Sequence, residues 1–163
     1  TLKLFPGGAP RLQQIIDADA HWSEKELAML RKEIKKMRQH FPQINWAILS
    51  LPLAEDVSLP LFSFWFFNVS PLDESETIEQ RQWTILLTLD RANQRVSVTA
   101  GYIVEPFVAD DEWERSLNAM KPKWRAGNEI GAIREFFAET KKQLIHSHAR
   151  VQEMLTSSEG GEA

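Results

Sequence analysis

Residues 83–105, WTILLTLDRANQRVSVTAGYIVE, limit the fold more than any other stretch of this chain. Trp83, Ile85, Leu87 and Leu89 fall on one face of an extended segment, with Thr84, Leu86 and Thr88 on the other. An apolar run of this kind suits a strand covered on both sides. Val96, Val98 and Ala100 then alternate with Ser97 and Thr99, which predicts a second strand with one less buried face. Asp90-Arg91-Ala92-Asn93 between them is turn chemistry, since Asp and Asn tolerate left-handed backbone. The pair reads as a β-hairpin leaving through Gly101-Tyr102 into an acidic segment.

Helical signals surround the hairpin. Ser23 followed by Glu26 is a capping box, in which hydroxyl and carboxylate satisfy free amides at a helix start. Leu27, Leu30, Ile34, Met37 and Phe41 then share one stripe, and Pro42 ends the helix. Residues 44–51 form a buried strand by length and bounding prolines, and Ile15-Ile16 reads as a short strand or a buried anchor. Ser58 caps a second helix with Pro60 in its first turn, and this helix is apolar almost all round. Residues 69–82 read as a polar, acidic loop. Asp110-Asp111 open a third helix that Pro122 and Gly127 break, and a long last helix runs from about Glu129 to Leu155.

This order predicts one α/β domain over 15–155, a three-layer α/β/α sandwich with a small mixed sheet and a β-hairpin, Rossmann-like in layering. Residues 1–14 form a lead-in or linker and 156–163 a disordered tail. At 163 residues and 43% hydrophobic the chain can bury a single core. A net charge of -4, with basic residues dense only along the helical 31–38 segment, argues against nucleic acid as a partner. The lack of cysteine removes disulfides and thiol chemistry. No run reaches the ~20 apolar residues of a membrane span. The start at Thr1 rather than Met leaves room for a targeting segment upstream.

Several landmarks occur in a fixed order: Ile15-Ile16-Asp17 before a Ser23-capped helix, Leu51-Pro52 before Ser58-Leu59, Gly101-Tyr102 closing the hairpin with Glu105 three residues on, and Pro122, Trp124 and Gly127. Together they make the chain resemble the TPM domain family of thylakoid-lumen, photosystem-repair and receptor-modulating proteins, over about 15–144. Ile103 stands where that pattern has a second glycine, and Gln82-Trp83 where it has Asn-Gly. The resemblance implies a Rossmann-like fold, an extracytoplasmic or membrane-associated location through a segment outside this chain, and either divalent-cation binding with acid phosphatase activity or an assembly role.

Two candidate sites follow. Asp17, Glu105 and Asp110, with Asp111 beside it, would give the oxygen ligands that Ca2+ or Mg2+ prefers, if their loops met at one sheet edge. An antiparallel helix-strand step puts Asp17 and Asp19 near Glu55 and Asp56; a usual parallel crossover sends Glu105 to the opposite edge, while the long 69–82 loop is able to permit the reverse. The second helix offers Phe62, Trp65 and Phe66, with Phe64 and Phe67, as aromatics in excess of what one sheet face can bury: either a patch for a partner protein, a second copy or a membrane interface, or a helix wedged and buried between the sheet and the last helix. His146 and His148 point apart on a helix, and Ser97 and Thr99 lack a nearby base. The favoured reading is a non-catalytic accessory or protein-interaction domain; the alternative is a divalent-cation-dependent, acid phosphatase-like hydrolase.

Overall fold

The computed structural model describes residues 5, 10, 14–70 and 78–160. Among these residues four strands make one sheet in the order β1 (Ile15–Asp17), β2 (Asn45–Leu51), β3 (Thr84–Asp90) and β4 (Arg95–Ala100). The first three are parallel, and β4 returns antiparallel beside β3, pairing Leu87 with Val98 and Asp90 with Arg95. The expected α/β layering and hairpin are therefore present, and Ile15-Ile16 is a true strand. Every residue of β3 is buried, as its two-sided apolar pattern requires.

Among the described residues five α-helices flank the sheet. On one face α1 (Glu24–His40), α4 (Asp110–Arg125) and α5 (Glu129–Gly160) cover Trp46, Ile48, Ile85, Leu87 and Leu89. The capping box forms as expected, with Ser23 and Glu26 serving each other's backbone amides, and Leu30, Ile34 and Met37 of α1 face inward. On the other face α2 (Leu59–Val69) covers Ile16, Ala47, Leu49, Leu51 and Leu86. It also lies over β4, so Ser97 is buried on the strand face expected to be the more open one. A short helix α3 (Ile78–Gln82) occupies the end of the expected 69–82 loop, the middle of which lies outside the described residues.

The steps β1-α1-β2 and β2-α2-β3 move the same way across the sheet, yet α1 and α2 lie on opposite faces. The two crossovers are therefore of opposite hand, and one departs from the right-handed rule. Both remain parallel, so the C-terminal ends of β1, β2 and β3 share one edge, and the hairpin leaves at the other.

Three local expectations change. Pro122 sits inside α4 rather than ending it; only one backbone bond is lost so close to the C-terminus, and buried Trp124 holds the last turn in place. Helix α5 continues to Gly160, past the expected end at Leu155, whose side chain is exposed. In the hairpin the left-handed residue is Gln94 (φ 52°), after the Asp-Asn pair expected to supply it. Gly101 is required by close approach: a Cβ there would lie 2.3 Å from the Gln82 carbonyl oxygen. Ile103 keeps a negative φ, so nothing in its backbone calls for the glycine of the family pattern.

Candidate functional site

The C-terminal edge of the parallel strands, where α/β folds usually hold ligands, is filled by Arg91. This residue follows β3, and its guanidinium bonds to the Ser50 hydroxyl at the end of β2 and to Asp19 beyond β1. It also pairs with Asp17 Oδ1 at 3.6 Å. The Asp17 and Arg91 side chains are only 8% and 10% exposed, so the pair is a largely buried one. Asp17 Oδ2 accepts the Trp22 backbone N–H at 2.8 Å, tying β1 to the entry of α1. Glu129, at the start of α5, accepts the Trp22 indole N–H at 2.7 Å and meets His21 at 3.1 Å. Burial holds the Arg91 guanidinium below its usual pKa, while Asp17 and then Glu129 pull it back up.

The expected cation site does not assemble. Asp17 ends β1 at this edge, while Glu105 opens a 3-10 turn (Glu105–Phe107) after β4, at the far edge. Asp110 lies beyond it in the first turn of α4, exposed, as does Asp111. The physical cause is the parallel β2–β3 step, which forces β4 to end opposite Asp17. Glu55 and Asp56 do leave the same end of β2, but both are solvent-facing. Among the described residues no group of three or more His, Asp or Glu side chains is placed to hold a metal ion. Asp17, Glu105 and Asp110 thus do not fit Ca2+ or Mg2+ as one ligand set, and Asp17 already faces a fixed cation.

Asp90 belongs to a different part of the same edge. It is fully buried, yet accepts from the Leu53 N–H (3.1 Å), the Ala92 N–H (3.1 Å), Asn93 Nδ2 (2.9 Å) and Arg95 Nε (2.9 Å). Burial works to raise its pKa, but the bonds from Asn93, Arg95 and Leu53, with the Arg95 charge, outweigh it and hold the carboxyl below its ordinary value. This cluster fastens the hairpin turn to the loop after β2, and Arg95 adds bonds to the carbonyls of Val57 and Ala54. Its role is structural.

The second candidate, α2, divides cleanly. Phe62 (4% exposed) and Phe66 (0%) are core residues, their rings stacked 6.3 Å apart, and Phe67 is buried with them. Phe62 and Phe66 therefore do not belong to a contact surface, contrary to expectation. Trp65 is exposed, at 42%, and so are its neighbours Leu61 (72%) and Phe64 (63%). Residues 61, 64 and 65 stand at spacings of three and four and make one outward stripe, continued by Asn68 and Val69. Ser63 turns inward, its hydroxyl donating to the Leu59 carbonyl at 2.8 Å. A usable signal was Asn68, the most polar residue of the helix, which lies seven positions after Leu61 and marks the solvent side.

A pocket of about 410 Å³ opens at the start of this stripe, between the N-terminus of α2, the beginning of β4 and the end of α4. Ser58, Pro60, Arg95, Lys121, Trp124 and Arg125 help line it. A more apolar hollow of about 460 Å³ lies at the far sheet edge among Phe41, Ile44, Trp83, Phe107 and Ile145.

Comparison with known proteins adds likeness in shape. The chain is similar to the N-terminal domain of a P. gingivalis protein solved by NMR, at 20% identity and a TM-score of 0.63 over 90% of this chain and 88% of that one. It is also similar to the BA42 protein of the psychrophilic bacterium Bizionia argentinensis, at 12% identity and a TM-score of 0.58 over 78% of this chain and 83% of that one. An N-terminal domain from Corynebacterium glutamicum follows at 10% and 0.57, over 78% and 76%. These likenesses establish a shared fold. No family model matches the chain, and no curated protein matches it. No helix among the described residues is long and apolar enough to cross a membrane.

Proposed function

We propose that this chain is a non-catalytic accessory domain that contacts a partner protein through the outer face of α2, and that it is a divergent relative of the TPM family acting outside the cytoplasm or at a membrane. The observation that carries this reading is the joint exposure of Leu61, Phe64 and Trp65 on one helix face. Scattered exposed apolar residues are ordinary, but large aromatics grouped on one face are typical of contact sites, where Trp and Phe contribute most of the energy. The helix is held rigidly from behind by Phe62, Phe66 and Phe67, so its outer side chains are presented with little ordering cost on binding. The phosphatase alternative has less support, because its metal ligands would have to come from opposite sheet edges.

Replacing Leu61, Phe64 and Trp65 together by Ser tests the reading. The folded chain should persist with little change in melting temperature, while its native complex, sized in extracts of the source cells, collapses to the free chain. A complex that survives the triple change overturns the proposal.

A further inference from the structure

The pocket beside α2 differs in charge from the rest of the molecule. The chain carries a net charge of -4, yet Arg95, Lys121 and Arg125 all line this hollow, and among the described residues no carboxylate does. Arg95 is engaged by Asp90 and by the carbonyls of Val57 and Ala54. Lys121 and Arg125 are exposed and have no acidic partner among the described residues. Trp124 also lines the pocket, is 8% exposed, and its indole N–H has no acceptor among the described residues. The first turn of α2, which supplies Ser58 and Pro60 to the rim, holds no acidic residue. Two exposed cations with no acidic partner among the described residues, set in a concave site, make a field that favours an anion.

The pocket borders the first turn of the helix that carries the aromatic stripe. Pro60 lines the hollow and stands four residues before Phe64, with Leu61 and Trp65 alongside on the same exposed face. We infer that the partner segment is an acidic peptide, whose apolar side chains lie on Leu61, Phe64 and Trp65 while a carboxylate enters the pocket between Lys121 and Arg125. This inference rests on the contact role proposed for α2 and names the chemistry of what that face takes. A membrane surface is the weaker occupant: α2 carries no basic residue in its last turn or elsewhere, unlike helices that lie on anionic lipid. A hollow beside the helix also suits a projecting side chain better than a flat bilayer.

Amide-resolved NMR titration separates the possibilities. The probes are a capped peptide of Phe and Glu residues, its Gln counterpart, inorganic phosphate, and vesicles of mixed phosphatidylserine and phosphatidylcholine. The expected result is saturable shifts at the Leu59 and Gln94 amides and the Trp124 indole with the acidic peptide. The Gln peptide should bind about tenfold more weakly, and the double variant Lys121→Glu, Arg125→Glu should abolish that preference while remaining folded. Equal binding of the two peptides overturns the inference but leaves α2 as a contact face. Pocket shifts with phosphate alone, or binding to vesicles alone, overturn it in favour of a small anion or a lipid surface. Silence at the pocket with every probe also overturns it, and the serine variants of α2 then decide the contact role separately.

Discussion

Asp90 and Arg91 are neighbours in sequence with different tasks, and each carries a prediction. Asp90 accepts bonds from four donors in a fully buried setting, which hold its carboxyl below the ordinary range despite the opposing effect of burial. Its contribution is complete above the unfolded carboxylate pKa of about 3.9 and is lost as pH falls through the lower folded value. Stability measured by urea unfolding should therefore fall on acidification through this window, and Asp90→Asn should flatten that limb while costing about 2 kcal/mol at neutral pH. Arg91→Met keeps the apolar stem but leaves buried Asp17 without its cation. A loss of about 3 kcal/mol is expected at pH 7. A variant as stable as the parent would mean that the Arg91–Asp17 pair does not fasten this edge. The sequence marked Asp90 and Arg91 as turn residues only, because their partners Leu53, Ser50, Asp17 and Asp19 are distant in the chain and nothing local announces them.

At the scale of elements, helix starts were the most legible feature, since a cap is a local bargain between a side chain and amides two or three residues on. Ser23, Ser58 and the acidic start of α4 all stand where the pattern puts them. The orientation of α2 was harder to read. A helix apolar on nearly all sides has little periodicity to say which face turns inward, and its two polar residues disagree, Asn68 facing out and Ser63 in. Phe66→Ala should cost about 3–5 kcal/mol, as for other buried aromatics, whereas Phe64→Ala should change stability by no more than about 0.5 kcal/mol. Thermal or denaturant unfolding of the two variants checks the assignment of faces. Gly101→Ala is expected to be as harmful as the core change, because the added methyl meets backbone at Gln82 rather than a side chain free to move.

For the whole molecule, the sequence carried the α/β layering and the hairpin, because strand and helix periods are local properties. It did not carry the direction of β3 relative to β2 or the opposite hands of the two crossovers. Both depend on which sheet face each helix packs against, a choice made by long-range burial. That single topological fact separates Asp17 from Glu105 and leaves the sheet edge to an internal guanidinium. Neither Ca2+ nor Mg2+ should therefore raise the melting temperature, and a metal-dependent rise would contradict the reading of this edge. What remains on the surface is an aromatic face on α2 backed by a rigid core. The most direct test places a photo-crosslinking side chain at Phe64, with the same group at exposed Lys35 on α1 as control, in living source cells. One discrete adduct is expected, formed at position 64, absent at position 35 and lost when Leu61 and Trp65 are changed to Ser. Adducts that match at the two positions, or none at position 64, would contradict the contact role of α2.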